Sequence, residues 1–248
     1  MVLPYQQILT IAKFGPFEIT SWGLMAVIGF LAAFWIISRE GKIRKLDSET
    51  IFSLMTLILI GGIIGSRLVW LLTEAGGITF LEVFEIWNGG MTWYGGFIGA
   101  AIAAYAYLRY KKAHIWKYLD VIAIGLPLGQ AIGRIGCYLV GDHIGKQTIL
   151  PWGINLPSAG GITHPIALYE IIALLGIFFI VLKESKKSQK RRFDGWLFSL
   201  YVMSYSFARF FMDFLRTDPT YFGLTIAQYI SLALLIGFWI FAWMRGKK

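Results

Sequence analysis

Apolar residues run along the chain in long stretches that short polar segments separate. Seven of these stretches could each form a helix that crosses a bilayer, because a hydrocarbon core of about 30 Å needs about 20 apolar residues. They cover approximately residues 19–37, 51–72, 91–108, 118–140, 165–182, 195–214 and 224–244. The period-two alternation of a membrane β-barrel is not present. The pattern predicts an all-α polytopic membrane protein with about seven transmembrane helices in a single transmembrane domain, residues 1–248.

The polar segments predict how these helices are oriented. Most of the 23 basic residues lie in residues 38–49, 109–117, 183–194 and the C-terminal tail. These four segments follow alternate stretches, so they share one membrane face, which the positive-inside rule makes cytoplasmic. We therefore expect the N-terminus outside and the C-terminus in the cytoplasm. The net charge of +9 is then a topology signal, and we expect no nucleic-acid partner.

The longer connections on the opposite face have a different composition. Residues 73–90 are amphipathic and aromatic, and we expect them to form an outer interfacial arm. Residues 141–164 are rich in glycine and proline and long for a turn, which predicts an ordered, small outer cap. The chain has one cysteine, Cys137, which excludes an internal disulfide and a cysteine-based metal cluster.

Three arginines interrupt the apolar stretches: Arg67, Arg134 and Arg209. A charged residue at the centre of a membrane helix costs at least about 2.5–3.5 kcal/mol to insert, and it usually has a function. Each arginine lies about 14–16 residues from the predicted inner end of its helix, or about 21–24 Å. All three would then share one depth in the outer half of the bilayer. They either form one site, or they are separate snorkelling or structurally paired residues.

Further polar residues accompany two of these arginines. Arg209, Asp213 and Arg216 are spaced i, i+4, i+7, so they share a helix face. We expect Asp213 to pair with Arg209, and Arg216 to leave this face net positive. Guanidinium groups near the headgroup level suit a phosphate through bidentate contacts. A glycerophospholipid is therefore the predicted substrate.

Six segments, in the same order along the chain, resemble motifs of the bacterial prolipoprotein diacylglyceryl transferase family. They are TSWGLMAVIGF at 20–30, GSRLVWLL at 65–72, GGMTWYGGFIG at 89–99, GRIGCYLVGDHIG at 133–145, THPIALYE at 163–170 and RFFMDFLRTD at 209–218. The resemblance covers nearly the whole chain. It implies a seven-span enzyme of the bacterial cytoplasmic (inner) membrane, with its active site toward the outer leaflet.

The resemblance also implies a reaction. The diacylglyceryl group of phosphatidylglycerol moves to the thiol of the cysteine that ends a prolipoprotein signal peptide; a thioether forms and glycerol phosphate leaves. The implied partners are phosphatidylglycerol, the signal peptide of prolipoproteins and the lipid bilayer, with no cofactor and no metal. Two alternatives stay open: a related lipid transferase with a different donor or acceptor, and a non-catalytic phospholipid-binding or transport protein.

Site residues follow from the motif matches and their neighbours. The predicted catalytic residues are Arg134, Arg209, Tyr94, Asp142 and His143. The predicted substrate-binding residues are Trp22, Arg67, Gly95, Gly96, Cys137, Gly145, Asp213 and Arg216. The chain departs from the family with Tyr94 for a histidine, Trp22 for a tyrosine, Cys137 for an asparagine, and Asp142 and Asp213 for glutamates.

The most consequential departure is Tyr94, which stands where the family has its proposed catalytic base. A phenol titrates near pH 10, about three units above neutrality. Three alternatives therefore remain: neighbouring arginines lower the pKa of Tyr94, His143 acts instead, or no base is needed.

Overall fold

A computed structural model describes residues 4–15, 17–73, 90–156, 158–187 and 193–247. Within these residues the fold is mostly helical, which confirms the main prediction from the apolar stretches. The α-helices are α1 (Ser21–Ile43), α2 (Ser48–Thr73), α3 (Trp93–Tyr110), α4 (Ile115–Val140), α5 (Ile166–Lys187), α6 (Trp196–Met212) and α7 (Ile226–Gly246). Five of them, α1, α2, α4, α5 and α7, are long and apolar enough to cross a membrane. The seven-span count and the orientation remain predictions.

Several helices extend beyond the apolar stretches into the basic segments. Helix α1 continues to Ile43 instead of residue 37, and α5 continues to Lys187 instead of residue 182. Their last turns carry Lys42, Lys186 and Lys187. Cations at a helix C-terminus interact favourably with the partial negative charge of the last carbonyls. The length of an apolar stretch therefore underestimates these helices.

Three short antiparallel hairpins, which an all-α prediction omits, complete the described fold. They pair β1 (Thr10–Phe14) with β2 (Phe17–Thr20), β3 (Ile154–Leu156) with β4 (Gly161–Thr163), and β5 (Thr220–Tyr221) with β6 (Leu224–Thr225). Strands of two to five residues give no reliable periodic signal, so the sequence pattern did not reveal them. The β3–β4 hairpin lies within residues 141–164, the segment predicted to form the cap. Residues 74–89 of the predicted arm lie outside the described part of the chain.

The helices belong to two compact units. Unit 1 comprises Met1–Ile37 and Leu119–Lys248, and unit 2 comprises Ser38–Tyr118. In unit 1, α1 and α4 approach so closely that a Cβ on Gly129 would lie 2.8 Å from the carbonyl oxygen of Gly29. The core between α4, α5 and α6 includes Ile124, Val181 and Leu197, which are almost fully buried. This packing fixes the positions, relative to one another, of the ends of α4, α5 and α6 that carry polar residues.

The start of α6 is fixed by a buried acid from α4. The carboxylate of Asp120 accepts hydrogen bonds from the backbone N–H groups of Gly195 (2.8 Å) and Phe198 (2.9 Å). A carboxylate at a helix N-terminus satisfies free N–H groups and complements their partial positive charge. Asp120 therefore sets the height of α6, and of the arginine near its other end, relative to α4.

In unit 2, α2 and α3 pack through glycines. A Cβ on Gly61 would lie 2.8 Å from the carbonyl oxygen of Gly99, and a Cβ on Gly95 would lie 2.7 Å from the Cβ of Val69. Distances this short leave no room for a side chain. Small residues at such positions let two helix backbones touch, which is typical of helix pairs in membranes.

Candidate active site

A buried glutamate on α5 joins the two arginines of unit 1 that the sequence singles out. Glu170 is 3% exposed, and its Oε2 lies 2.7 Å from Nε of Arg134 on α4. Its other oxygen, Oε1, accepts a short hydrogen bond from Nη1 of Arg209 on α6. Two cationic groups from different helices thus converge on one carboxylate.

Arg209 has a second carboxylate partner, as its spacing to Asp213 predicts. Nε of Arg209 lies 2.9 Å from Oδ1 of Asp213, whose side chain is fully buried. Helix α6 ends at Met212, and residues 213–215 form a single 3-10 turn. The other oxygen of Asp213 accepts a hydrogen bond of 2.8 Å from the hydroxyl of Thr225, which caps α7. Arg209 is therefore held rigidly from two sides.

The pairing of Arg216 differs from the sequence prediction. Asp218, which the sequence analysis did not single out, approaches it with both oxygens: Nε to Oδ2 is 2.6 Å and Nη2 to Oδ1 is 3.3 Å. Arg216 also lies 3.9 Å from Asp213. Its hydrogen bonds lower the pKa of Asp218 below the usual range. The expectation of a net positive face is therefore wrong, because Asp218 balances the additional arginine.

Asp142 and His143, just after α4, lie next to these arginines and acids. The Nδ1 of His143 makes a short contact with Oδ1 of Asp142, while its Nε2 lies 2.8 Å from Nη1 of Arg134. Because Arg134 can only donate, the Nε2 accepts and the Nδ1 carries the proton toward the aspartate. In this arrangement the acceptor nitrogen of His143 faces a guanidinium.

Cys137 lies on the same face of α4, one turn after Arg134. Its Sγ is 3.6 Å from Nη1 of Arg134, and the residue is buried. Together with Asp142 and His143 it offers three ligand atoms within 4.8 Å of one another, a set that could hold a metal ion. The guanidinium of Arg134, however, already lies against the sulfur and the imidazole. Its charge disfavours a second cation in the same place.

The cap is hydrogen-bonded to the segment after α6, next to the arginines. Gly145 pairs with Arg216 in an isolated β-bridge, and the N–H of Lys146 donates to the carbonyl of Leu215 over 2.8 Å. Gly145 has no room for a side chain, because a Cβ there would lie 2.9 Å from the Cβ of His164. The structure therefore gives Gly145 a packing role beside Arg216.

In unit 2, Arg67 is buried and anchors the entrance to α3. Its Nη1 donates to the carbonyl oxygen of Gly90 over 3.1 Å, and the guanidinium lies 4.8 Å from the ring centre of Trp70. The neighbouring Ser66 and Thr92 exchange hydrogen bonds between side-chain hydroxyls and backbone carbonyls. Gly90 has a positive φ of 71°, which suits glycine. The backbone just before α3 is therefore irregular at Gly90.

The other predicted residues occupy varied positions. Tyr94, near the start of α3, is 56% exposed and contacts the ring of Trp93 edge-on. Gly95 is buried against α2, whereas a Cβ on Gly96 would make only ordinary contacts. In unit 1, Trp22 has a half-exposed side chain, and its backbone lies against Gly136 of α4. Unit 1 therefore brings together Arg134, Cys137, Asp142, His143, Gly145, Arg209, Asp213 and Arg216.

Glu170, the central residue of the cluster, lies in the segment THPIALYE but is not among the site residues predicted from the sequence. The structure shows that it pairs, and that both its partners are proposed catalytic arginines. The available signal was its place in the segment THPIALYE together with an acidic side chain in an apolar stretch. A charge at such a position needs a partner.

Comparisons with known proteins agree with the motifs. The model of the prolipoprotein diacylglyceryl transferase family matches residues 9–244. A phosphatidylglycerol–prolipoprotein diacylglyceryl transferase from Clostridium tetani is 34% identical over 240 residues, covering 93% of this chain and 95% of the relative. Transferases with the same name from Wolbachia pipientis and Geobacter sulfurreducens are 33% and 31% identical, covering 91% and 92% of this chain, and 90% and 89% of the relatives.

Proposed function

Because the chain belongs to the prolipoprotein diacylglyceryl transferase family, we propose that it transfers the diacylglyceryl group of phosphatidylglycerol to the thiol of a lipobox cysteine in secreted prolipoproteins. The product is a thioether, and the reaction belongs to lipoprotein maturation. The observation that carries this proposal at the site is the convergence of Arg134 and Arg209 on one buried carboxylate. Two guanidinium groups that lie close enough to share one carboxylate are suited to bind the phosphate of a lipid.

The arginines act on the leaving group. As the sulfur forms its bond to the glyceryl carbon, the bond from that carbon to the phosphate oxygen breaks, and its electron pair stays on the departing glycerol phosphate. Negative charge therefore grows on the phosphate in the transition state. Hydrogen-bond donors held close to that charge stabilise it. Arg134 and Arg209 have this role once they turn toward the bound phosphate, and Arg216 shares the carboxylate of Asp213 with Arg209.

The thiol must lose its proton in the same reaction, and Asp142 with His143 is the pair that the geometry favours as the base. The contact between Asp142 and Nδ1 leaves Nε2 as the acceptor. In the resting site this nitrogen faces Arg134 at 2.8 Å. When the guanidinium turns toward a bound phosphate, Nε2 becomes available to the thiol. Tyr94 remains the alternative base, supported by its position in the family motif.

The remaining assignments rest on the motifs and the charge pattern. Proposed substrate-binding residues are Trp22, Arg67, Gly95, Gly96, Cys137, Gly145, Asp213 and Arg216. The acceptor is the signal peptide of a prolipoprotein. The enzyme spans the bacterial inner membrane seven times, with its N-terminus outside, its C-terminus in the cytoplasm and its active site toward the outer leaflet. The basic residues of segments 38–49, 109–117 and 183–194 and of the C-terminal tail support this orientation.

A transfer assay tests the function directly. The purified protein is placed in vesicles that contain phosphatidylglycerol, and a lipobox-cysteine peptide is added. Mass spectrometry of the peptide is expected to show the added diacylglyceryl group. Arg134→Ala and Arg209→Ala should abolish transfer while the folded protein remains in the membrane. Arg109→Ala is the matched control. It removes an exposed arginine from the predicted cytoplasmic segment 109–117, so the variant should stay active.

The outcomes separate the alternatives. Full activity in both arginine variants would refute the proposed roles. A product with a different mass would indicate another donor or acceptor. Binding of phosphatidylglycerol with an unchanged peptide would favour a phospholipid-binding or transport protein instead of a transferase.

A further inference from the structure

In unit 1, three arginines and three acidic residues form a cluster of ion pairs whose formal charges cancel. Three guanidiniums, those of Arg134, Arg209 and Arg216, face three carboxylates, those of Glu170, Asp213 and Asp218. A bound phosphodiester would add a negative charge to a set that already sums to zero. The cluster can hold such a ligand only if a guanidinium turns part of its hydrogen-bonding edge from a carboxylate to the phosphate.

Glu170 is the carboxylate best suited to this exchange. Asp213 is also fixed by the hydroxyl of Thr225, and Asp218 pairs with a residue two positions away in its own segment. Within the described residues, the ion pairs of Glu170 are with Arg134 and Arg209. These are the two residues proposed to bind the phosphate. Its oxygens therefore occupy the guanidinium edges that a phosphate would use.

We propose that Glu170 is a positioning residue that acts as an internal counter-anion, competing with the phosphate group for Arg134 and Arg209. This inference rests on the proposed function. Without lipid, Glu170 holds the two guanidiniums together. When a phosphate binds, it takes part of their hydrogen bonds. Glu170 is 3% exposed, so it stays beside the two guanidiniums and forms its hydrogen bonds with them again when the phosphate leaves.

The competition matters most for release of the product. The donor lipid carries one negative charge on its phosphodiester, whereas glycerol phosphate is a monoester with about −1.5 to −2 at pH 7. Without the charge of Glu170, the two guanidiniums would bind the product more tightly than the substrate and would slow turnover. A carboxylate that returns to them lowers the affinity for the product. Glu170 thereby favours departure of glycerol phosphate without contacting the reacting carbon.

The test compares Glu170→Gln with Glu184→Gln, which makes the same change of charge on the same helix near its other end. Glycerol phosphate is the probe. Its binding is measured by thermal stabilisation of the purified protein, which needs no turnover, and by product inhibition in the transfer assay. Glu170→Gln should bind glycerol phosphate about tenfold or more tightly than the parent, with a lower KM for phosphatidylglycerol and a lower kcat. Glu184→Gln should match the parent.

Unchanged or weaker binding of glycerol phosphate by Glu170→Gln would overturn the proposal, and so would equal tightening in Glu184→Gln. If Glu170→Gln does not accumulate in membranes, Glu170→Asp replaces it. The shorter side chain keeps the charge but cannot reach both arginines, so glycerol phosphate should again bind more tightly, and an unchanged affinity counts against the proposal. The parent's transfer activity tests the enzymatic function separately.

Discussion

Replacing Asp213 by alanine removes the acid that holds Arg209 and Thr225. Breaking a buried ion pair by deleting one partner costs about 3–5 kcal/mol. Arg209 keeps its contact with Glu170, which places the cost at the lower end, about 3 kcal/mol. The hydroxyl of Thr225 also loses its acceptor, at about 1 kcal/mol. We therefore expect Asp213→Ala to lower the free energy of unfolding by about 4 kcal/mol.

Asp218→Ala is the matched comparison, because Asp218 also pairs with an arginine of the cluster. Its side chain is 39% exposed, whereas that of Asp213 is fully buried. Exposed ion pairs contribute about 0–1 kcal/mol, so this variant should lose far less stability. Asp218 contacts its arginine through both oxygens, whereas Asp213 contacts Arg209 through one, so the ion-pair geometry alone would not predict the smaller loss in Asp218→Ala. Burial is the variable that the comparison addresses.

The assay is thermal unfolding of the purified proteins in one detergent. One kcal/mol corresponds to about 2–4 °C in Tm for a chain of this size. Asp213→Ala is therefore expected to melt about 8–16 °C below the parent, and Asp218→Ala within about 4 °C of it. Equal losses in the two variants, or a change of less than about 3 °C in Asp213→Ala, would show that burial does not determine the strength of these pairs.

Three further predictions concern pH, the base and helix packing. The hydrogen bonds from Arg216 lower the pKa of Asp218, so the stability from this pair is present above about pH 4 and is lost as the pH falls through the lowered pKa. The Tm of the parent should therefore fall in acid, and Asp218→Asn should lack this part of the decrease. His143→Asn should lose about a hundredfold in transfer rate, more than Tyr94→Phe, and the reverse order would assign the base to Tyr94. Gly61→Ala should cost about 3 kcal/mol or more in unfolding measurements, because its Cβ meets the α3 backbone; a neutral result would contradict the close packing.

The helices could be predicted because an apolar stretch is a local property of the chain. The ends of the helices could not be predicted in this way, because α1 and α5 continue past their apolar stretches into turns that contain lysines. The contact between Arg209 and Asp213 was predictable for the same reason as the helices: a spacing of i, i+4 brings two side chains together in any helix.

The partners that come from elsewhere in the chain were not predictable in this way. Glu170 meets Arg209 across 39 residues, and only the packing of α5 against α6 brings them together. Asp218 lies past the end of α6, where the 3-10 turn redirects the chain and helical spacing no longer applies. The neutral charge of the cluster therefore emerges from the tertiary fold.

The placement of Glu170 on the helix after Arg134 also has a consequence for biogenesis. A ribosome adds about 5–20 residues per second, so α4 enters the membrane seconds before α5 exists. During that interval the arginine has no glutamate beside it, and its insertion penalty of about 2.5–3.5 kcal/mol must be met by the translocon, by water or by lipid headgroups. Arrival of α5 supplies the missing carboxylate. The ion pair that we propose to arrange the site for a phosphate would therefore also offset the cost of keeping Arg134 in the bilayer, and a chain without Glu170 would have to bear that cost uncompensated.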